Sequence, residues 1–148
     1  MLRLVCAMCS LILGSGLAPA FAQCGEEAKK LEGAWTATQA ERDGKTAHDV
    51  IGHRLIFRGN QFQIRAKDGK SLYLGTVRVD PSAKPAAIDF THTEGTLEGK
   101  AWKGIYALDG DTLKICDNAP DLDTGRPPAL EAKSGSGYVL ITFTREKR

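Results

Sequence analysis

The sequence predicts an all-β protein: an eight-stranded antiparallel up-and-down β-barrel entered through a short N-terminal helical segment. Two observations carry this. Turn signals recur at short, regular intervals, at R-D-G 42–44, R-G-N 58–60, K-D-G 67–69, D-P-S 80–82, L-E-G 97–99 and L-D-G-D 108–111. The runs between them alternate apolar and polar residues at the period of a strand. The chain of 148 residues is long enough for one domain with a sizeable core.

Taken in order, residues 1–22 read as a secretory signal peptide. Arg3 is followed by an uncharged run and then by A-F-A, Ala20 to Ala22, with small residues where a signal peptidase needs them. Cleavage before Gln23 leaves a domain of residues 23–148 that is secreted or periplasmic. The alternative is an N-terminal anchor, but the apolar run is short for a span of about 20 residues, so no stable membrane anchor is expected after cleavage. Gln23 before Cys24 is also wrong for lipid modification, which needs a small residue there.

C-G-E-E-A-K-K-L, Cys24 to Leu31, consists largely of helix formers. It is too short to stand alone, so one or two helical turns packed across another element are expected. The first strand opens with G-A-W at Gly33 to Trp35. Strands follow through His53–Gly59, Gln61–Ala66, Ser71–Asp80, Ala87–His92, Ala101–Leu108, Asp111–Cys116 and Tyr138–Arg145. Their alternation places Trp35, Phe57, Phe62, Tyr73, Phe90, Trp102, Tyr106 and Phe143 on the inward face. Most connections are short enough for hairpins, and an antiparallel meander of eight strands closes into a barrel without exposed edges. A sandwich is the alternative, and it normally needs longer crossovers. The long Pro- and Gly-rich segment 117–137 is the candidate mobile flap.

Charge and motifs exclude several classes. Lys plus Arg number 20 against 18 Asp plus Glu, a net charge of +2 that falls to +1 when Arg3 leaves with the leader. There is no basic tract of the kind that follows a phosphate backbone, so no nucleic-acid partner is expected. No H-E-x-x-H, G-x-S-x-G, phosphate-binding glycine loop or C-x-x-C occurs after the leader. No acid, base and nucleophile set assembles, so the expectation is a protein without catalytic activity, cofactor or metal. His53 and His92 both fall on inward positions, yet a metal would need a third converging ligand. Asp117, Asp121 and Asp123 in the long loop suggest calcium, but D-L-D-T-G at 121–125 lacks the third acidic position and the closing glutamate of a calcium loop, and a solvated loop is expected.

Cys6 and Cys9 belong to the leader, which leaves Cys24 and Cys116. In an oxidising compartment such a pair invites a disulfide. The competing reading is a packing Cys116 and a free Cys24 thiol near a terminus.

The G-A-W opening after a short helical turn resembles the lipocalin signature. In that superfamily an arginine late in the last strand packs on the tryptophan at the barrel's closed end. Arg145, in T-F-T-R, is the matching position, and a planar cation over an indole is a favourable arrangement. The resemblance implies structural roles for Gly33, Trp35 and Arg145. A second resemblance covers nearly the whole chain after the leader. L-E-G-A-W, A-E-R-D-G-K, L-I-F-R-G-N-Q-F, K-G-I-Y-A-L-D-G-D-T-L-K-I-C and S-G-S-G look like an uncharacterised small, often exported domain that recurs in Planctomycetes proteins. It implies a fold and a compartment, and no activity.

The inward aromatics either fill the barrel or line an apolar calyx. In the second case Tyr73, His92, Trp102 and Tyr106 are the candidate ligand-binding residues, since each joins an apolar body to a polar handle. The expected function is non-catalytic binding of a small, partly apolar molecule by a monomer. The alternative is a protein-interaction or inhibitor module that uses the barrel surface and the 117–137 loop.

Overall fold

The computed structural model describes residues 20–148, with side chains from residue 25 onward. The predicted leader thus lies almost wholly outside the described residues, as does the Cys24 side chain. Helix α1 (Ala20–Leu31) leads into nine strands: β1 (Gly33–Arg42), β2 (Lys45–Thr46), β3 (Arg54–Arg58), β4 (Gln61–Arg65), β5 (Ser71–Asp80), β6 (Ala87–His92), β7 (Ala101–Asp109), β8 (Thr112–Asp117) and β9 (Val139–Arg145). Short 3₁₀ turns lie at Gly95–Leu97 and Leu122–Thr124. No described helix is long and apolar enough to cross a membrane.

Every pairing is antiparallel. Strand β1 pairs β3, the meander continues in chain order to β9, and β9 returns to β1. The result is a closed barrel of eight strands, with β2 as a two-residue hairpin arm on the end of β1. Closure leaves no long unpaired edge. A bulge between Ala37 and Gln39 interrupts the β1–β9 register. It shifts the alternation by one residue, so Trp35 and Ala37 are buried before it and Ala40 after it.

The interior is the predicted aromatic set. Trp35, Phe57, Phe62, Phe90, Trp102, Tyr106 and Phe143 belong to one buried cluster together with Leu31, Leu55, Leu113 and Ile115. Tyr73 is the exception at 37 % exposure, because it stands at the rim.

One end of the barrel is shut by α1. Leu31 is buried at 2 % exposure, and its carbonyl accepts from Trp35 Nε1 at 2.9 Å. The Arg145 guanidinium lies 4.1 Å from the Trp35 ring centroid. It also donates to the carbonyls of Lys30 (2.6 Å) and Glu32 (2.9 Å) and to Asp111 (3.1 Å). A cation there satisfies carbonyls that the end of a helix leaves open and complements its dipole. Gly33 makes the turn from helix to strand at a φ of +113°.

The 117–137 segment does not behave as the expected flap. It is pinned against the outer wall. Ala87, Ile105 and Cys116 are register neighbours on the outward face of β6, β7 and β8, and all three are buried. Arg126 donates to Asp89 (2.7 Å) and to the Gly104 carbonyl (2.7 Å), and Lys103 N donates to Asn118 Oδ1 (2.8 Å). Gly44 N donates to the Ala132 carbonyl, and Gly135 N to Asp43. An outward apolar row needs a cover, and this segment provides it.

Gly75 in β5 shows how tightly the wall is built. A Cβ there would collide with the Thr91 carbonyl of β6 and meet Phe62 Cε1 at 2.8 Å. Gly75→Ala is therefore expected to destabilise the protein by about 1–3 kcal/mol, as overpacking does. Urea denaturation monitored by circular dichroism measures it. An unchanged midpoint would contradict this packing.

Candidate functional site

The end opposite α1 opens into a cavity of about 280 Å³. Its wall is mostly apolar: Leu55 and Ile64 from β3 and β4, Leu72 and Tyr73 from β5, Phe90 and Trp102 from β6 and β7, and Ile141 and Phe143 from β9. Leu72 and Tyr73 are the exposed large hydrophobics among the described residues, and both stand on this rim. The barrel is therefore partly filled. Trp35 and Leu31 are buried at the closed end, and the open end holds this cavity.

The four candidate ligand residues divide. Tyr73 and Trp102 line the cavity with their ring centroids 4.8 Å apart. His92 is one layer behind them at 1 % exposure, packed edge-on against Trp102 (4.2 Å), Tyr73 (5.5 Å) and Phe62 (5.6 Å). Burial holds its imidazole below the usual value, which favours the neutral ring. Tyr106 is not part of this group. It lies toward the closed end, where its hydroxyl donates to Glu27 of α1 at 3.2 Å. Its inward face agrees with the alternation, but its height in the barrel makes it a contact of the plug.

Among the described residues, the buried side-chain nitrogens without a hydrogen-bond partner are Trp102 Nε1, both ring nitrogens of His92 and Arg65 Nε. Of these, Trp102 lines the cavity and His92 packs directly behind it. A buried donor left unmade costs about 1–3 kcal/mol.

Asp117 is the residue that sequence reasoning misses. In the sequence it opens the acidic loop, yet Leu113, Ile115 and Asp117 continue one inward face to the end of β8. Asp117 pairs in register with Gly104. A Cβ at Gly104 would stand 3.0 Å from that of Asp117, so the glycine makes room for the carboxylate inside the barrel. Asp117 lines the cavity at 5 % exposure and accepts from Ala119 N at 2.9 Å. Burial pushes its carboxyl up from 3.8 to about 7. Arg42 and Asp49 also line the mouth and bind each other through two hydrogen bonds of 2.8 and 3.2 Å, which holds the Asp49 carboxyl below the usual range.

His53 reaches the rim, and no group of three or more His, Cys, Asp or Glu residues with metal-binding geometry occurs among the described residues. Cys116 lies outside the cavity, a free thiol among the described residues. It donates to the Glu131 carbonyl at 3.3 Å, and burial pushes it up to about 11. The bridge to Cys24 concerns a side chain outside those described.

No protein-family model, curated protein or solved structure matches the chain.

Proposed function

We propose that this is an exported, non-catalytic binding protein that holds a small, partly apolar molecule in the mouth of a lipocalin-like barrel. The observation that carries the reading is the 280 Å³ cavity at the open end, apolar in its walls and edged by the exposed Leu72 and Tyr73. A cavity of this size sits at the small end of ligand sites, which combine an apolar lining with a few polar groups. Asp117 and Trp102 are those groups, with His92 packed behind Trp102. A surface interaction module draws no comparable support, because the 117–137 segment turns its apolar Pro127 and Ala132 into the barrel wall.

The test is binding of N-phenyl-1-naphthylamine, a fluorescent probe that is uncharged at neutral pH. Saturable binding of one probe per chain is expected. Trp102→Ala should change its affinity by about tenfold, equivalent to about 1.4 kcal/mol of contact. Tyr106→Ala, at the closed end, should leave it within about twofold. Probe fluorescence that never saturates, or that responds equally to both substitutions, would refute the assignment.

A further inference from the structure

Resting on the reading of the mouth as a ligand site, we propose that the ligand class is a small organic cation, its protonated nitrogen held by Asp117 and its flat apolar body by Tyr73, Phe90 and Trp102. The charges around the cavity carry this. Arg42 and Asp49 neutralise each other at the rim. Asp117 stands deeper, beside Gly104, and forms no ion pair with any described basic side chain. The backbone N–H of Ala119 is its recorded hydrogen-bond partner. An uncompensated carboxylate inside a barrel is expensive. It is relieved either by taking up a proton or by an incoming cation. An anionic ligand would add like charge, and an uncharged one would leave the carboxylate as it is.

The aromatic wall makes the same selection. Trp102 lies 4.8 Å from Tyr73 and 6.5 Å from Phe90, ring centroid to ring centroid, and all three line the cavity. Aromatic faces attract a desolvated cation and provide flat surface for a ring. The volume of about 280 Å³ suits a single-ring amine rather than a long acyl chain.

The experiment uses three probes of one shape: 2-phenylethylamine, 2-phenylethanol and 3-phenylpropionate, titrated calorimetrically at pH 8. The amine is expected to bind at least tenfold tighter than the alcohol, and the propionate more weakly than either. Asp117→Asn should bring the amine down to the level of the alcohol while N-phenyl-1-naphthylamine still binds. Equal affinities for amine and alcohol, or an amine affinity unchanged by Asp117→Asn, would overturn the cation assignment and leave the ligand site standing. If neither the amine nor N-phenyl-1-naphthylamine binds, the ligand site itself falls and this assignment with it.

Discussion

Trp35→Ala should cost about 3–5 kcal/mol, the range for truncating a fully buried aromatic. Trp35 has no exposed surface, and it is tied to two other parts of the chain at once. Its Nε1 donates to the last carbonyl of α1, and its ring carries the Arg145 guanidinium from β9. Truncation removes the ring volume at the plug, orphans the Leu31 carbonyl and leaves Arg145 without its platform. In thermal unfolding this corresponds to a loss of roughly 10–20 °C for a domain of this size. Arg145→Ala should act at the same place with a smaller loss of about 1–2 kcal/mol, since it removes the stacked cation and the contacts to Lys30 and Glu32. A Trp35→Ala protein that melts with the parent would mean that the plug is not built this way.

Asp117→Asn should have the opposite sign and raise stability near neutral pH. In the native state burial keeps the Asp117 proton up to about pH 7, whereas the ordinary carboxyl loses it near 3.8. Between these values the native state binds more protons than the unfolded chain. Stability contributed at Asp117 therefore falls as pH rises across that window. The gap corresponds to something on the order of 4 kcal/mol at pH 7.5. His92 works the other way: its depressed native value means that the unfolded chain takes up a proton below about 6.5 that the native state refuses, so stability there falls as pH falls. The difference between the parent and Asp117→Asn isolates the first effect. It should be large at pH 7.5 and vanish near pH 4, as measured by urea denaturation at each pH. A difference that is constant with pH would show that Asp117 is ionised alike in both states. A charge kept at a stability cost is consistent with the binding role proposed for Asp117.

The barrel was legible in the sequence because alternation and turn spacing act on each strand separately, and the bulge in β1 displaces the alternation only locally. The side each residue faces was legible for the same reason. Height along the barrel was not, and this is why Tyr106 was grouped with Trp102, four residues away on the same inward face of β7 but nearer the plug. Asp117 was hidden by its neighbours: it reads as the first acid of a loop, although it completes the Leu113, Ile115 series. The docking of 117–137 had a signal that went unused. Ile105 and Cys116 occupy outward positions with apolar side chains, and such a row has to be covered by something. The pairing of Arg42 with Asp49, seven residues apart at the rim, carries no motif that announces it.

The Arg145 anchor joins the last strand to the end of α1, so the chain enters and leaves the barrel at the same pole. The mouth is at the other pole. A domain, tag or surface tether placed after β9 would leave from the shut end, and the cavity would point away from it. The exit of the chain and the cavity mouth are thereby separated along the barrel axis, so immobilisation through the segment after β9 leaves the mouth facing solvent.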